Sequence, residues 1–135
     1  MNYKYLALLV MWMAFIFCLS SIPHLSFGLE GSQEQFSRKS VHVIIFGILT
    51  FLMWFSIPKL DENLTKKVLL CAFLSTSYAI ADDIHQLFVP GRCGNAKGVL
   101  FDVIGIVAVL IWLGIRQKTL LKSRQQAPIE VGSNL

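Results

Sequence analysis

The chain is predicted to be an all-α membrane protein, an antiparallel bundle of four transmembrane helices with both termini cytoplasmic. Three observations lead there. Hydrophobic residues make up 55% of the 135 positions and charged residues only 15%, with a mean hydropathy of +0.62. A soluble domain usually carries about 25% charged residues. The apolar residues fall into four runs separated by Pro, Gly and charged segments. Each run approaches the ~20 residues needed to cross a ~30 Å hydrocarbon core. Finally, the basic residues are unevenly divided between the two sides that four spans would create.

The first run is Leu6 to Ser20, read as a helix over about 5–22 behind Lys4. A cleaved signal peptide is the alternative. Ser20-Ser21-Ile22-Pro23 is a poor small-x-small cleavage site and further spans follow, so an uncleaved helix is the reading adopted. Pro23 and Gly28 break it, and residues 22–37 read as a polar loop. The second helix is placed at about 38–57 and ended by Pro58. Asp61, Glu62, Lys66 and Lys67 then read as a short charged loop. The third helix is placed at about 67–89, before the Pro90-Gly91 turn, and the fourth at about 98–115. One transmembrane domain, 1–116, is followed by a polar cytoplasmic tail, 117–135, expected to be mobile. Trp12, Trp54 and Trp112 read as anchors near the membrane interfaces.

With four spans, both termini share a side with the loop at 58–67. That side holds Lys4, Lys59, Lys66, Lys67, Arg116, Lys118, Lys122 and Arg124. The opposite side holds only Arg38, Lys39, Arg92 and Lys97. The excess of basic residues places both termini in the cytoplasm.

The third run carries the costly residues. Asp82, Asp83, His85 and Gln86 lie within an apolar stretch and are followed by Arg92. Ionisable groups at membrane depth need partners or a task. At 100° per residue, Ser75, Tyr78, Asp82, His85 and Gln86 share an arc of roughly 100°, with Asp83 turned away. On the second helix, Arg38, Lys39, His42, Phe46 and Thr50 share a face. On the fourth, Gly98, Asp102, Gly105 and Val109 do, and the glycines permit close helix approach. Alternating direction brings Lys39, His42, Asp82, His85, Arg92 and Asp102 to one outward-facing end, where the first helix adds no ionisable group.

Some chemistries are disfavoured. No basic tract with interleaved aromatics points to nucleic acid. Cys18, Cys71 and Cys93 are odd in number and form no CxxC spacing. No HExxH-type signature is present, and neither a cofactor nor a metal is expected.

Three blocks carry a family resemblance. Ser21-Ile22-Pro23 closes the first helix, and Lys39-Ser40-Val41-His42 precedes Phe46-Gly47. The third block is Tyr78-Ala79-Ile80-Ala81-Asp82-Asp83-Ile84-His85-Gln86 with Phe88-Val89-Pro90-Gly91-Arg92. Over about residues 5–115 the chain resembles the VanZ-like family of small bacterial membrane proteins, named after a protein associated with teicoplanin resistance. The fourth helix is a partial match: Asp102 and Gly105 are in place, but Gly98 stands where that family often has Asp. The resemblance implies a multi-pass protein of the bacterial cytoplasmic membrane.

Three functions remain open. In the preferred one, Lys39, His42, Asp82, Asp83, His85, Gln86, Arg92 and Asp102 form a polar cluster. It would bind or modulate an anionic envelope component, a lipid phosphate or cell-wall precursor, with a link to glycopeptide resistance. Basic residues are scarce on the outer side of membrane proteins, and arginine suits phosphate and carboxylate. Alternatively, His42, His85, Asp82 and Asp102 serve a metal-dependent or acid–base enzyme acting on an envelope lipid, with His85 and Asp82 as the oriented base. Thirdly, the polar groups only lock the helices of a structural or regulatory protein. Membrane lipids are partners in every case.

Overall fold

A computed structural model describes residues 2–23, 32–58, 63–90 and 96–126, with the side chains of 32–39, 96–97 and 124–126 outside that description. Among the described residues there are four helices and no strand: α1 (Tyr3–Ser20), α2 (Ser32–Ser56), α3 (Leu64–Gln86) and α4 (Ala96–Gln126). Three contain segments long and apolar enough to cross a membrane, Tyr3–Ser20, Leu64–Gln86 and Gly98–Ser123. The apolar part of α2, Ser40–Ser56, is shorter.

The helix limits differ from those expected, for identifiable reasons. α2 begins at Ser32, inside the stretch read as loop. α3 starts at Leu64 because Asn63 caps it, its side chain accepting from Lys66 N at 3.1 Å. Lys66 and Lys67 are therefore helical. α3 ends at Gln86, before the Val89 expected, since the residue preceding proline is driven from helical geometry. Leu87, Phe88 and Val89 instead make bonds three residues back, to Ile84, His85 and Gln86 carbonyls. α4 continues past residue 115 to Gln126. Its polar extension is rich in Gln, Lys and Leu, which favour helix, and no breaker precedes Pro128.

The chain runs up and down. Tyr5 stacks on Phe55 and the Lys67 ammonium sits 4.7 Å from the Trp54 ring centre, joining the start of α1, the end of α2 and the start of α3. At the other end Ser21 meets His85 and His42 meets Asp102. α2 packs against all three other helices, most extensively against α4, whereas α1 and α4 do not meet among the described residues. The order around the bundle is thus α1, α2, α4, α3.

Inside lie Leu9, Ile16, Phe46, Leu49, Cys71, Ile106 and Leu110. Outside, Leu8, Met11, Phe15, Phe73, Ile104 and Ile111 face away from the bundle. An apolar surface of that extent suits acyl chains. Two tryptophans correct the anchor expectation. Trp54 is buried, and Trp12 lies mid-helix with its Nε1 donating to Ile45 O at 3.1 Å. Trp112 alone is exposed, with the Arg116 guanidinium 5.4 Å from its ring centre.

The tightest contact is between α2 and α4. A Cβ on Gly105 would collide with the Val43 carbonyl oxygen and come within 3.2 Å of Gly47 N. Glycine at this crossing lets one backbone lie on the other, as small residues do in membrane helix pairs.

Candidate functional site

The polar residues gather where α1 and α3 end and α2 and α4 begin. They form three pairings rather than one array. The first is between α2 and α4. His42 Nδ1 lies 3.0 Å from Asp102 Oδ1, the carboxylate being buried and the imidazole side chain 27% exposed. Helical spacing makes this possible: Asp102 sits three residues before the Gly105 crossing, and His42 five before Gly47, so the close approach draws both side chains together. The His42 ring also stacks on Phe46, centroids 6.1 Å apart.

The second pairing is within α3. Gln86 Nε2 donates to Asp82 Oδ2 at 2.8 Å, one helical turn away, and both residues are buried. Among the described residues, Asp82 Oδ1 has no hydrogen-bond partner.

The third pairing faces α1. His85 Nε2 lies 3.0 Å from Ser21 Oγ and its ring stacks on Phe17 with centroids 4.5 Å apart. Two turns earlier on the same flank, Tyr78 OH donates to Met13 O at 2.7 Å. The single polar arc expected on α3 is therefore divided. Ser75, Asp82 and Gln86 point into the bundle, while Tyr78 and His85 fasten α1. A Tyr78→Phe change is expected to lower stability by about 1 kcal/mol, one neutral hydrogen bond. Thermal melting in detergent checks this; an unchanged midpoint would leave the α1–α3 bond without weight.

Of the expected cluster, the described contacts join His42 to Asp102 and Gln86 to Asp82, while His85 turns to α1. The His85–Asp82 base pairing is not made; His42–Asp102 has that geometry instead. Asp83 lies beside α4, its Oδ1 3.0 Å from where a Cβ on Gly98 would be. Glycine at 98 thus leaves room for the Asp83 carboxylate, which an Asp there would oppose. The Lys39 side chain, Lys97 side chain, Arg92 and Cys93 lie outside the described residues. Ser21, Phe17 and Met13 were not expected at the site. Their signal was only that Ser21 closes α1 one residue before Ile22-Pro23.

Chemically, an imidazole bonded through Nδ1 to a buried carboxylate is held in a fixed orientation. No group of three or more His, Cys, Asp or Glu side chains is arranged to hold a metal among the described residues. No curated protein and no solved structure matches the chain. A family model described as VanZ/LLP1 matches residues 5–117, which takes in α2 and α3 whole, most of α1, the first two thirds of α4 and every pairing above. On that match the chain belongs to the VanZ/LLP1 family.

Proposed function

We propose that this chain is a multi-pass protein of the bacterial cytoplasmic membrane that binds an anionic envelope component, a lipid phosphate or cell-wall precursor, at its outer end. All four helices span in this reading, α2 by including residues before Ser40, and both termini are cytoplasmic. The observation that carries it is the partly exposed His42 held on buried Asp102 near the start of α2 and α4, close in sequence to Arg38, Lys39 and Lys97, with Arg92 following α3 in the chain. Basic residues on the outer side run against the usual distribution and favour recognition of anions. A contribution to glycopeptide tolerance belongs to the same proposal.

The test is retention of lipid. Wild-type protein purified in mild detergent is expected to keep phospholipid phosphate, and Lys39→Gln with Arg92→Gln to lose most of it while melting at nearly the wild-type temperature. Equal retention by both proteins would sink the reading. The His42–Asp102 pair also favours a second reading, an acid–base enzyme acting on an envelope lipid. Its mark would be a covalently altered lipid in wild-type vesicles and none with His42→Gln.

A further inference from the structure

The outward face of α4 is apolar and then abruptly basic. Ile104, Ile111 and Ile115 are each more than half exposed, while Ile106, Leu110 and Leu113 are buried. At about 100° per residue, the three isoleucines fall with Lys118 and Lys122 in an arc of roughly 60°, opposite the buried three. One stripe therefore runs along the outside of the bundle and ends in two exposed ammonium groups.

The change from apolar to basic falls where hydrocarbon gives way to headgroups. About 20 residues cross the hydrocarbon, so a span starting at Gly98 ends at about residue 117. α2 stops at the same height. It runs in the direction of α4, with His42 on Asp102 and, further along, Phe51 against Trp112 at 6.4 Å between ring centroids. Ser56, the last residue of α2, is thus level with about residue 117. The Arg116 guanidinium, 5.4 Å from the Trp112 ring centre, pairs a cation with an aromatic at that boundary. Lys118 then stands at headgroup height and Lys122 one turn, ~6 Å, further out.

The charge there is unopposed. Between Asp102 and Glu130 the chain has four basic residues and no acidic one. Among the described residues neither Lys118 nor Lys122 has an ion-pair partner. Lys67, at the same end, is by contrast buried over the Trp54 ring. An apolar stripe ending in two unpaired ammonium groups complements one kind of molecule, with acyl chains below and an anionic phosphate above.

We propose that this stripe seats an anionic glycerophospholipid, its acyl chains along Ile104, Ile111 and Ile115 and its phosphate between Lys118 and Lys122. The site lies at the opposite end of the bundle from His42 and Asp102 and does not depend on the function proposed above.

Full-length protein is placed in phosphatidylcholine nanodiscs with a trace of phosphatidylglycerol or phosphatidylcholine bearing a diazirine in one acyl chain. After illumination, cross-linked peptides are mapped by mass spectrometry. In wild type, the peptide holding Ile111 and Ile115 is expected to take phosphatidylglycerol over phosphatidylcholine about tenfold. Lys118→Gln with Lys122→Gln is expected to bring the ratio near one. Adding Thr119→Lys and Ser123→Lys to that pair restores the net charge but sets it off the stripe, and the ratio is expected to stay low. Equal labelling by both lipids in wild type overturns the proposal. A ratio restored by the relocated lysines overturns it in favour of diffuse attraction, the ordinary behaviour of basic residues beside a membrane. Lys39→Gln with Arg92→Gln is expected to leave the ratio unchanged; its loss there overturns the proposal by assigning the lipid to the other end.

Discussion

Replacing Gly105 by alanine is expected to destabilise the protein by about 2 kcal/mol, through the contact of α4 with α2. The added methyl would overlap the Val43 carbonyl oxygen, lie 3.0 Å from Val43 C and 3.2 Å from Gly47 N. These are backbone atoms of a helix and cannot swing aside as a side-chain tip can. The helices must part, and separation is felt along the shared core, at Leu49, Ile106 and Leu110. Helix propensity opposes this effect, since alanine is favoured over glycine by up to ~1 kcal/mol. The backbone collision outweighs it. Two other glycines calibrate the experiment. A methyl at Gly47 would make ordinary contact, 3.4 Å from a Val109 side-chain carbon, and one at Gly114 would meet nothing within 4 Å. The expected order of melting temperatures is Gly114→Ala at or above wild type, Gly47→Ala close to it, and Gly105→Ala well below. A Gly105→Ala protein as stable as Gly114→Ala would refute the close crossing.

The number of helices was legible in the sequence, and the described His42, Asp82, Gln86 and Asp102 lie toward the end at which α1 and α3 finish and α2 and α4 start. Run lengths and the prolines at 23, 58 and 90 determine the first, and the alternating direction of successive helices the second. The ends were less legible because single side chains set them. Asn63 starts α3 before its apolar run does, and polar but helix-favouring residues carry α4 beyond its own. The pairings were least legible. An angle on a helical wheel states which residues share a face, not which neighbour that face meets. His85 and Gln86 are adjacent on α3, yet one meets α1 and the other stays inside with Asp82. α1 was discounted because it carries no ionisable residue near this end. It contributes instead a hydroxyl, a ring and a backbone carbonyl, from Ser21, Phe17 and Met13, and none of these stands out in an apolar sequence. Trp12 and Trp54 misled in the opposite direction, since a tryptophan suits an interface and a core equally well.

The His42→Ala change is expected to cost more than Asp102→Asn. It removes the imidazole and leaves Asp102, 2% exposed, as an unpaired carboxylate in the bundle. Breaking a buried pair from one side costs about 3–5 kcal/mol. Water can enter the space left by the 27% exposed histidine, which lowers the expected loss to about 2–3 kcal/mol. Asp102→Asn keeps a polar partner for the imidazole and should lose only about 1 kcal/mol. The double change His42→Phe with Asp102→Leu removes both polar groups and their desolvation cost together, so it should recover most of the stability lost in His42→Ala. Measuring bound phospholipid across the same set separates the two roles the pair could have. A lock holding α2 to α4 has done its work once the apolar double variant is stable, and that variant would then retain lipid as wild type does. A site that recognises a ligand needs the imidazole itself, so the double variant would be stable and empty. The proposed function requires the second result.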